Sequence, residues 1–376
     1  MAKTFNNLYP SIYDFERLIS SYYRARKGKR GRKEVMIFHY DYEGQIFNIQ
    51  NHLIWGSWRT GEYRPFTLHE PVFRVGAALP FRDRVLHHSI VETINPCFEP
   101  GFIQHSYACI KGRGTHAGAD KAQMMLRTVR RNHGSLYVFK GDIAGYFYNI
   151  NHDVLKRLVR RRISCRQTLV LLDEIIDSSS TPDALTPKGI PLGNLTSQLF
   201  ANIYLAELDN FVKHVLREKH YLRYMDDFCI IHHDKAHLQN LRVKIEKFLH
   251  DELQLNTNKK TQVFPVSSKQ GGRSLDFLGY RIWPTHRKLR KDSIQRITRS
   301  LKRLQRHYAT GRINLSDVRP VVHSWLAHAN HADTFGLKSK ILSSFPMIRQ
   351  PSEAEVVEAA SASHGPDYGN WMDCPW

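Results

Sequence analysis

The chain has 376 residues, 55 of them Lys or Arg against 35 Asp or Glu, for a formal net charge of +20. That excess points to a polyanionic partner, nucleic acid first, while 41% hydrophobic and 11% aromatic residues exclude a wholly disordered basic tail. No run of 18 apolar residues occurs, the N-terminus lacks a signal peptide's apolar stretch, and five cysteines without a CxxC pair fit a reduced, cytoplasmic protein better than a disulfide framework or zinc site.

In chain order, SIYDFERLISSYYRARK (11–27) reads as a helix with Ser11 as N-cap and Ile12, Phe15, Leu18 and Ile19 on one face. It runs into RARKGKRGRK (24–33), seven Lys or Arg in ten residues, a candidate phosphate-contacting loop or simply a solvated one. A second helix is expected near 41–58, before the turn TGEYRP. From 136, LYVFKGDI is a short apolar strand ending in an acid, followed by an aromatic turn and the helix HDVLKRLVRRR. A Ser/Thr/Pro-rich loop (178–187) and the glycine-punctuated KGIPLGN precede a long helix over about 195–217. YLRYMDDFCII reads as a β-hairpin with two acids at its tip. A helix over 235–252, a Lys-rich turn and the strand-like FLGYRIW follow. This mixed order predicts an α+β fold rather than a regular βαβ repeat.

Residues 288–308 form an amphipathic helix in which Ile294, Ile297, Leu301 and Leu304 oppose Arg296, Arg299, Arg303 and Arg306. Nine Lys or Arg against one acid over 286–306 favour contact with a polyanion. Residues 351–376 reverse the charge, with five acids and no Lys or Arg, and are expected to be a disordered appendage. Trp371 and Trp376 leave a docking peptide open there. Of the 21 histidines, including His87–His88, His232–His233 and His328-x-x-His331, none stands at zinc-ligand spacing. KGRGTH (111–116) lacks P-loop spacing and fits a template-phosphate contact better.

Two acidic sites carry the chemistry: Asp142 at a strand end, and Asp226–Asp227 at a hairpin tip. Nucleotidyl transfer uses divalent ions about 3.5–4 Å apart to bridge the attacking hydroxyl and the triphosphate. Mg²⁺ is hard and takes carboxylate oxygens, so two or three aspartates on rigid strands suffice. Neighbouring strand residues point to opposite faces, so Asp226 is expected to join Asp142 at the metals with Asp227 secondary, unless the turn rotates one of them. An isolated DD is usually only a turn.

The strand–Asp–aromatic turn, the glycine loop with its SQ helix, the YMDD hairpin, the Lys-containing turn and FLGY occur in an order and spacing that resemble reverse transcriptases over about 65–345. More narrowly, GIPLGNLTSQLFANIYLAELD and FLGYRIWPTHRKLRK resemble the reverse transcriptases of diversity-generating retroelements. Those enzymes carry xGxxxSQ where most reverse transcriptases have QGxxxSP, and here the segment runs from Leu192 through Gly193 to Ser197 and Gln198.

The resemblance implies a right-hand fold: an N-terminal basic helical extension (1–60), fingers (61–135), palm (136–285), a small helical thumb (286–348) and the acidic tail (349–376), without an RNase H or endonuclease domain. It implies that Asp142, Asp226 and Asp227 bind two Mg²⁺ ions (Mn²⁺ as substitute) with the backbone carbonyl of Ile143, where a primer 3′-hydroxyl attacks a dNTP. Arg74 would clamp the triphosphate, or serve as a surface ion-pair residue. Phe147 would stand at the steric gate against a 2′-hydroxyl, or be a core aromatic beside Tyr146 and Tyr148. Lys260, rather than Lys259, would sit near the leaving pyrophosphate. Gly279 and Tyr280 fall in the primer-gripping hairpin, and Arg299 and Arg303 would track the template–primer backbone.

Leu192 stands where a glutamine usually approaches the nascent pair, and having no donor or acceptor it predicts weaker polar anchoring and low fidelity, unless it simply packs. Gly193 would let the backbone approach the nucleotide. Ser197 and Gln198 either cap the following helix or touch the template. The implied function is an RNA-directed DNA polymerase that makes adenine-mutagenised cDNA from a template-repeat RNA in a bacterial or phage-infected cell. Its expected partners are template RNA, the cDNA or primer strand, dNTPs and a basic, oligomeric accessory protein, with no membrane. Another bacterial retroelement polymerase (intron- or defence-type) and a non-catalytic RNA-binding scaffold are the alternatives.

Overall fold

In the computed structural model, which describes residues 3–68, 74–179, 187–267 and 273–349 but not the side chains of Leu68, Arg74 and Val75, the expected first helix is two. Asp14 adopts an extended backbone between α1 (Tyr9–Tyr13) and α2 (Phe15–Arg26) and accepts a bond from Arg17 N at 2.9 Å. An aspartate can satisfy the orphan amides of a new helix start, so Asp14 is the N-cap and Ser11 lies inside α1. The basic run is exposed over most of its length and leads into α3 (Lys33–Tyr40), which the sequence reading missed; α4 (Tyr42–Ile54) follows.

Strands β1 (Arg64–Leu68) and β2 (Arg74–Ala78) pair antiparallel. Helix α5 (Phe81–Phe98) then packs against all four preceding helices. It buries Val85, Leu86, Ile90 and Ile94, the i, i+4 rows of a helix enclosed on most sides. Next come α6 (Thr115–His133), β3 (Tyr137–Asp142), α7 (Tyr146–Asn149), α8 (His152–Arg160) and α9 (Arg166–Asp177). The long helix α10 is α-helical over Leu195–Asn210 and continues as a wider π turn to Val215, close to the expected span. Strands β4 (Tyr221–Tyr224) and β5 (Asp227–His232) form the expected hairpin, and α11 (Lys235–Leu253) and β6 (Gln262–Pro265) complete the central layer.

The sheet is antiparallel, in the order β4-β5-β3-β6. Strand alternation divides it into two faces. Phe139, Tyr221, Phe228 and Ile230 enter one core with Leu155 of α8, Ile203 and Leu208 of α10, and Ile245 and Leu249 of α11. Lys140, Asp142, Asp227 and Cys229 fall on the other face. Gly141 is required by its cross-strand partner: a Cβ there would lie 2.1 Å from the Phe228 ring. The aromatic ring fills the space the glycine leaves, and the strand ends in Asp142 directly after it.

Beneath the hairpin, Arg223 has no exposed surface. It grips Asp209 at the end of α10 with two bonds (Nε–Oδ1 2.8 Å, Nη2–Oδ2 2.6 Å) and donates to the Met225 carbonyl at 3.0 Å. Tyr221 adds its hydroxyl to Asp209 Oδ1 at 2.7 Å. Such a pair holds position only because every charged atom is partnered.

Backbone contacts divide the chain into two units, Met1–Leu278 with Ile282–Thr285, and Gly279–Arg281 with His286 onward. FLGYRIW is not one strand, because Leu278 (φ 54°) and Gly279 (φ 86°) turn the chain between β7 (Leu275–Phe277) and β8 (Tyr280–Ile282). In the second unit, β9 (Arg287–Leu289) leads to α12 (Lys291–Ala309), α13 (Leu315–Ala329) and α14 (Phe335–Ser343). Helix α12 buries Ile297 and Leu301 and exposes Arg299, Lys302, Arg303 and Arg306, while Ile294 and Leu304 are half-buried. Asn314 and Asp317 close a reciprocal cap on α13. The acidic tail and residues 180–186 of the Ser/Thr/Pro-rich loop lie outside the described residues. The four described cysteines are free, and among the described residues no helix is long and apolar enough to cross a membrane.

Removing the carboxylate in Asp209→Ala strands a buried guanidinium and is expected to lower unfolding free energy by about 3–5 kcal/mol. Chemical denaturation checks this, and the double variant Arg223→Met with Asp209→Leu is expected to regain most of the loss.

Candidate active site

The ladder between β3 and β5 puts Asp142 directly opposite Asp227. Residues facing each other across an antiparallel pair share a sheet face, so Asp142 and Asp227, expected to be the secondary acid, share one. Asp226 lies in the two-residue turn that joins Tyr224 to Asp227. Met225 begins that turn with φ 56°, a left-handed conformation rare outside glycine, and this breaks the strand alternation at the tip. The charge of Asp226 still reaches Asp227 and the buried Tyr146 hydroxyl.

Each carboxylate has its own surroundings. Asp142 Oδ2 accepts from Asn258 Nδ2 at 2.6 Å, and its backbone carbonyl accepts from Asn258 N at 2.7 Å. Its amide donates to Thr261 Oγ1 at 3.2 Å. Asn258 Oδ1 in turn accepts from Lys260 N at 2.7 Å. One asparagine thus fixes Asp142 and shapes the turn that carries Lys260, whose side chain is exposed, like that of Lys259. Asp227 Oδ2 pairs with Lys140 Nζ at 3.0 Å, and Oδ1 is buried with no hydrogen-bond partner. Burial pushes the Asp227 carboxyl up to about 7, Lys140 opposes that rise, and the charges of Asp142 and Asp226 add to it.

Among the described residues, no three His, Cys, Asp or Glu side chains are gathered as ready-made metal ligands. The donor set nevertheless fits a hard divalent cation. It offers carboxylate oxygens only, one of them buried and unbonded, in a cluster whose mutual repulsion a positive ion would relieve. Ile143 is buried beside this cluster, bridged to Thr257.

Beyond Asp142, Gly145 (φ 52°) starts α7 and the three aromatics part company. Tyr146 is buried and donates to the Ala201 carbonyl at 2.6 Å, Phe147 is half-buried, and Tyr148 is exposed. The Phe147 carbonyl accepts from Ile190 N at 2.8 Å, which ties this segment to the glycine loop. Farther along, the carbonyl of half-buried Leu192 accepts from Ala77 N of β2 at 3.2 Å. Gly193 has φ 119°, a conformation that disfavours any side chain, and a Cβ there would touch the Ala77 carbonyl and the Phe66 ring at 3.6 Å. Arg74 lies on β2, three residues before Ala77; its side chain is outside the description.

Asn194 is the N-cap of α10 but makes no capping bond. Ser197 is only 2% exposed and Gln198 half-buried, so of the two only Gln198 offers surface to a strand outside. Gly279, Tyr280, Arg299 and Arg303 belong to the second unit. There the Tyr280 ring is buried, stacks on His328 (4.9 Å between centroids) and bonds its Nδ1 at 3.1 Å, so the ring itself does not present a gripping surface. Sequence reasoning missed Lys140, Asn258 and Thr261. The signals were available as Lys two residues before Asp142, on the same strand face, and as the asparagine in LNTNKK.

Residues 70–282 match the family model described as reverse transcriptase (RNA-dependent DNA polymerase). The chain is 26% identical over 237 residues to Protein YkfC of Escherichia coli (strain K12), covering 54% of this chain and 61% of that protein. It is 30% identical over 136 residues to group II intron-encoded protein LtrA of Lactococcus lactis subsp. cremoris, covering 35% of this chain and 22% of that protein. It therefore spans less than two thirds of either relative. Among solved structures it is similar to an apo telomerase from Candida tropicalis (TM-score 0.46, 13% identity, 81% of this chain and 62% of that chain).

Because Asn258 orients a carboxylate from outside the carboxylate set, Asn258→Ala is expected to lower divalent-ion affinity by about 10–100-fold. Mn²⁺ titration followed by electron paramagnetic resonance measures this; an affinity equal to wild type would remove Asn258 from the site.

Proposed function

This chain belongs to the reverse transcriptase family, and we propose that it has that family's right-hand polymerase fold and acts as an RNA-directed DNA polymerase making error-prone cDNA in a diversity-generating retroelement. The single observation that carries the polymerase reading is the cross-strand pairing of Asp142 with Asp227, with Asp226 in the turn beside them. In this reading residues 61–135 are the fingers, 136–285 the palm and 286–348 the thumb, after a basic helical extension over 1–60.

Asp142, Asp226, Asp227 and the Ile143 carbonyl would hold two divalent ions, Mg²⁺ by donor chemistry, with Mn²⁺ as substitute. When bound, such ions lower the pKa of the primer hydroxyl and neutralise charge on the triphosphate. The residues of the chain then have separable tasks. Asn258 and Thr261 keep Asp142 fixed, so the site needs little reorganisation when substrate arrives. Phe147 fills the space beneath the sugar, and its half-burial against the core keeps the ring from yielding to a 2′-hydroxyl. Arg74 meets the triphosphate from β2, and exposed Lys260 adds positive charge on the pyrophosphate side. Gly193 lets the loop lie close to β2, and Gln198 faces the template. Arg299 and Arg303 follow the phosphate backbone from the exposed side of α12, with Gly279 in the turn before it.

The retroelement assignment rests on LGNLTSQ, in which Leu192 removes the amide that would anchor the nascent pair. Low fidelity, errors at template adenines and a basic, oligomeric accessory protein come with that assignment. A second reading, an intron-type reverse transcriptase, draws support from the similarity to the group II intron-encoded protein LtrA. Flanking DNA separates the two: near-identical repeats that differ chiefly at adenines are expected for the first and lacking for the second.

Primer extension on an RNA template with Mg²⁺ and dNTPs is expected to proceed with wild type and to fall by at least about 10³-fold in Asp226→Ala; equal rates would return the protein to an RNA-binding scaffold. Sequencing the products, Leu192→Gln is expected to lower the error rate at template adenines, and an unchanged spectrum would take Leu192 out of the fidelity account.

A further inference from the structure

Lys140 stands two residues before Asp142 on the same strand, so both side chains emerge on one face of the sheet. Its direct cross-strand neighbour is Cys229, and Asp227 is diagonal to it. The ammonium is 3.0 Å from Asp227 Oδ2 and donates to the Asp276 carbonyl at 2.6 Å. The side chain is 19% exposed, so its charge is only partly hydrated. A long, flexible lysine is costly to order inside a protein unless its charge is used. Here it lies at Asp227, whose second oxygen is buried without a hydrogen bond.

We propose that Lys140 is the resident counter-cation of the carboxylate cluster, holding Asp227 in place without a divalent ion and competing with such an ion for Asp227. The inference rests on the reading of Asp142, Asp226 and Asp227 as the divalent-ion site. Its physical basis is that one carboxylate cannot give its full charge to two cations at once. An incoming divalent ion must either share Asp227 or displace the ammonium, and a displaced Nζ keeps the Asp276 carbonyl to which it already donates. The lysine would therefore do two opposed things: keep the metal-free hairpin from being forced open by like charges, and weaken metal binding to the level at which metal still exchanges. It is a positioning residue, acting on the reaction only through Asp227.

The test uses the full chain without nucleic acid or dNTP, with Mn²⁺ as probe. Lys140→Met removes the charge with little change in length. Lys140→Gln keeps a donor for the Asp276 carbonyl and serves if the methionine variant does not fold. Mn²⁺ affinity, read by electron paramagnetic resonance, is expected to rise about tenfold in either neutral variant, the equivalent of losing one charge-assisted contact. Melting temperature without metal is expected to fall, and the gain on adding Mg²⁺ to exceed that of wild type. Lys140→Arg, which retains the charge, is expected to keep affinity near wild type. Unchanged or weaker Mn²⁺ binding in the neutral variants overturns the role of Lys140 alone, provided Asp226→Asn weakens binding in the wild-type background. If Asp226→Asn leaves Mn²⁺ binding untouched, the divalent-ion reading falls, and this inference with it.

Discussion

Arg223 is sealed from water, yet its guanidinium joins two parts of the fold: Asp209 and, two turns earlier on the same face, Asn202 of α10, and the Met225 carbonyl in the hairpin turn. A charge buried this deeply is tolerated only with a complete set of partners, so the geometry has little freedom. That rigidity is transmitted directly to the turn. The carbonyl of Met225 is pinned while its φ is left-handed, and the two acids follow immediately. The sheet register then decides what they meet. Asp227 leaves the turn opposite Asp142, and the helix on the far side of the sheet fixes where both of them sit.

The same placement creates the electrostatic problem that the site has to solve. Three carboxylates with overlapping fields are a poor arrangement in a partly desolvated pocket, and Asp227 registers this as a raised proton affinity. Two neutralising devices are present within the chain. Lys140 takes one oxygen of Asp227, and Asn258 donates to Asp142. Neither satisfies the cluster completely, since Asp227 Oδ1 is left unbonded in the interior. On the proposed reading, this incompletely neutralised acidic cluster is what would draw a small cation to it.

Much of this could be read from the sequence wherever the signal was local. The strand ending in Asp142, the YMDD hairpin, α11 and the basic amphipathic α12 have strict periodicities or strong turn residues, and they stand where expected. The failures have physical causes. Asp14 leaves the helical conformation and caps a new helix start, so the one expected helix is two. Leu278 takes a left-handed turn that its side chain gives no hint of, so FLGYRIW is broken. Helix α5 is apolar on several sides and shows no clean stripe. At the site, alternation says only that Asp226 and Asp227 cannot both aim at one point unless the turn rotates one of them, and the left-handed Met225 that ends the alternation is not legible in its side chain. Lys140 and Asn258 carry no local signal, since each matters through a contact with an acid far along the chain, Asp227 for the first and Asp142 for the second.

A short relay of main-chain bonds has consequences of its own. The Phe147 carbonyl holds Ile190, and two residues on the Leu192 carbonyl holds Ala77. On the proposed reading, the ring that rejects ribose and the leucine that relaxes copying accuracy are mechanically fastened to one another, and both to the strand that bears Arg74. Selection acting on sugar choice would then drag pairing stringency along with it. A lineage of such enzymes would find it hard to become more accurate without also altering which nucleotides it admits.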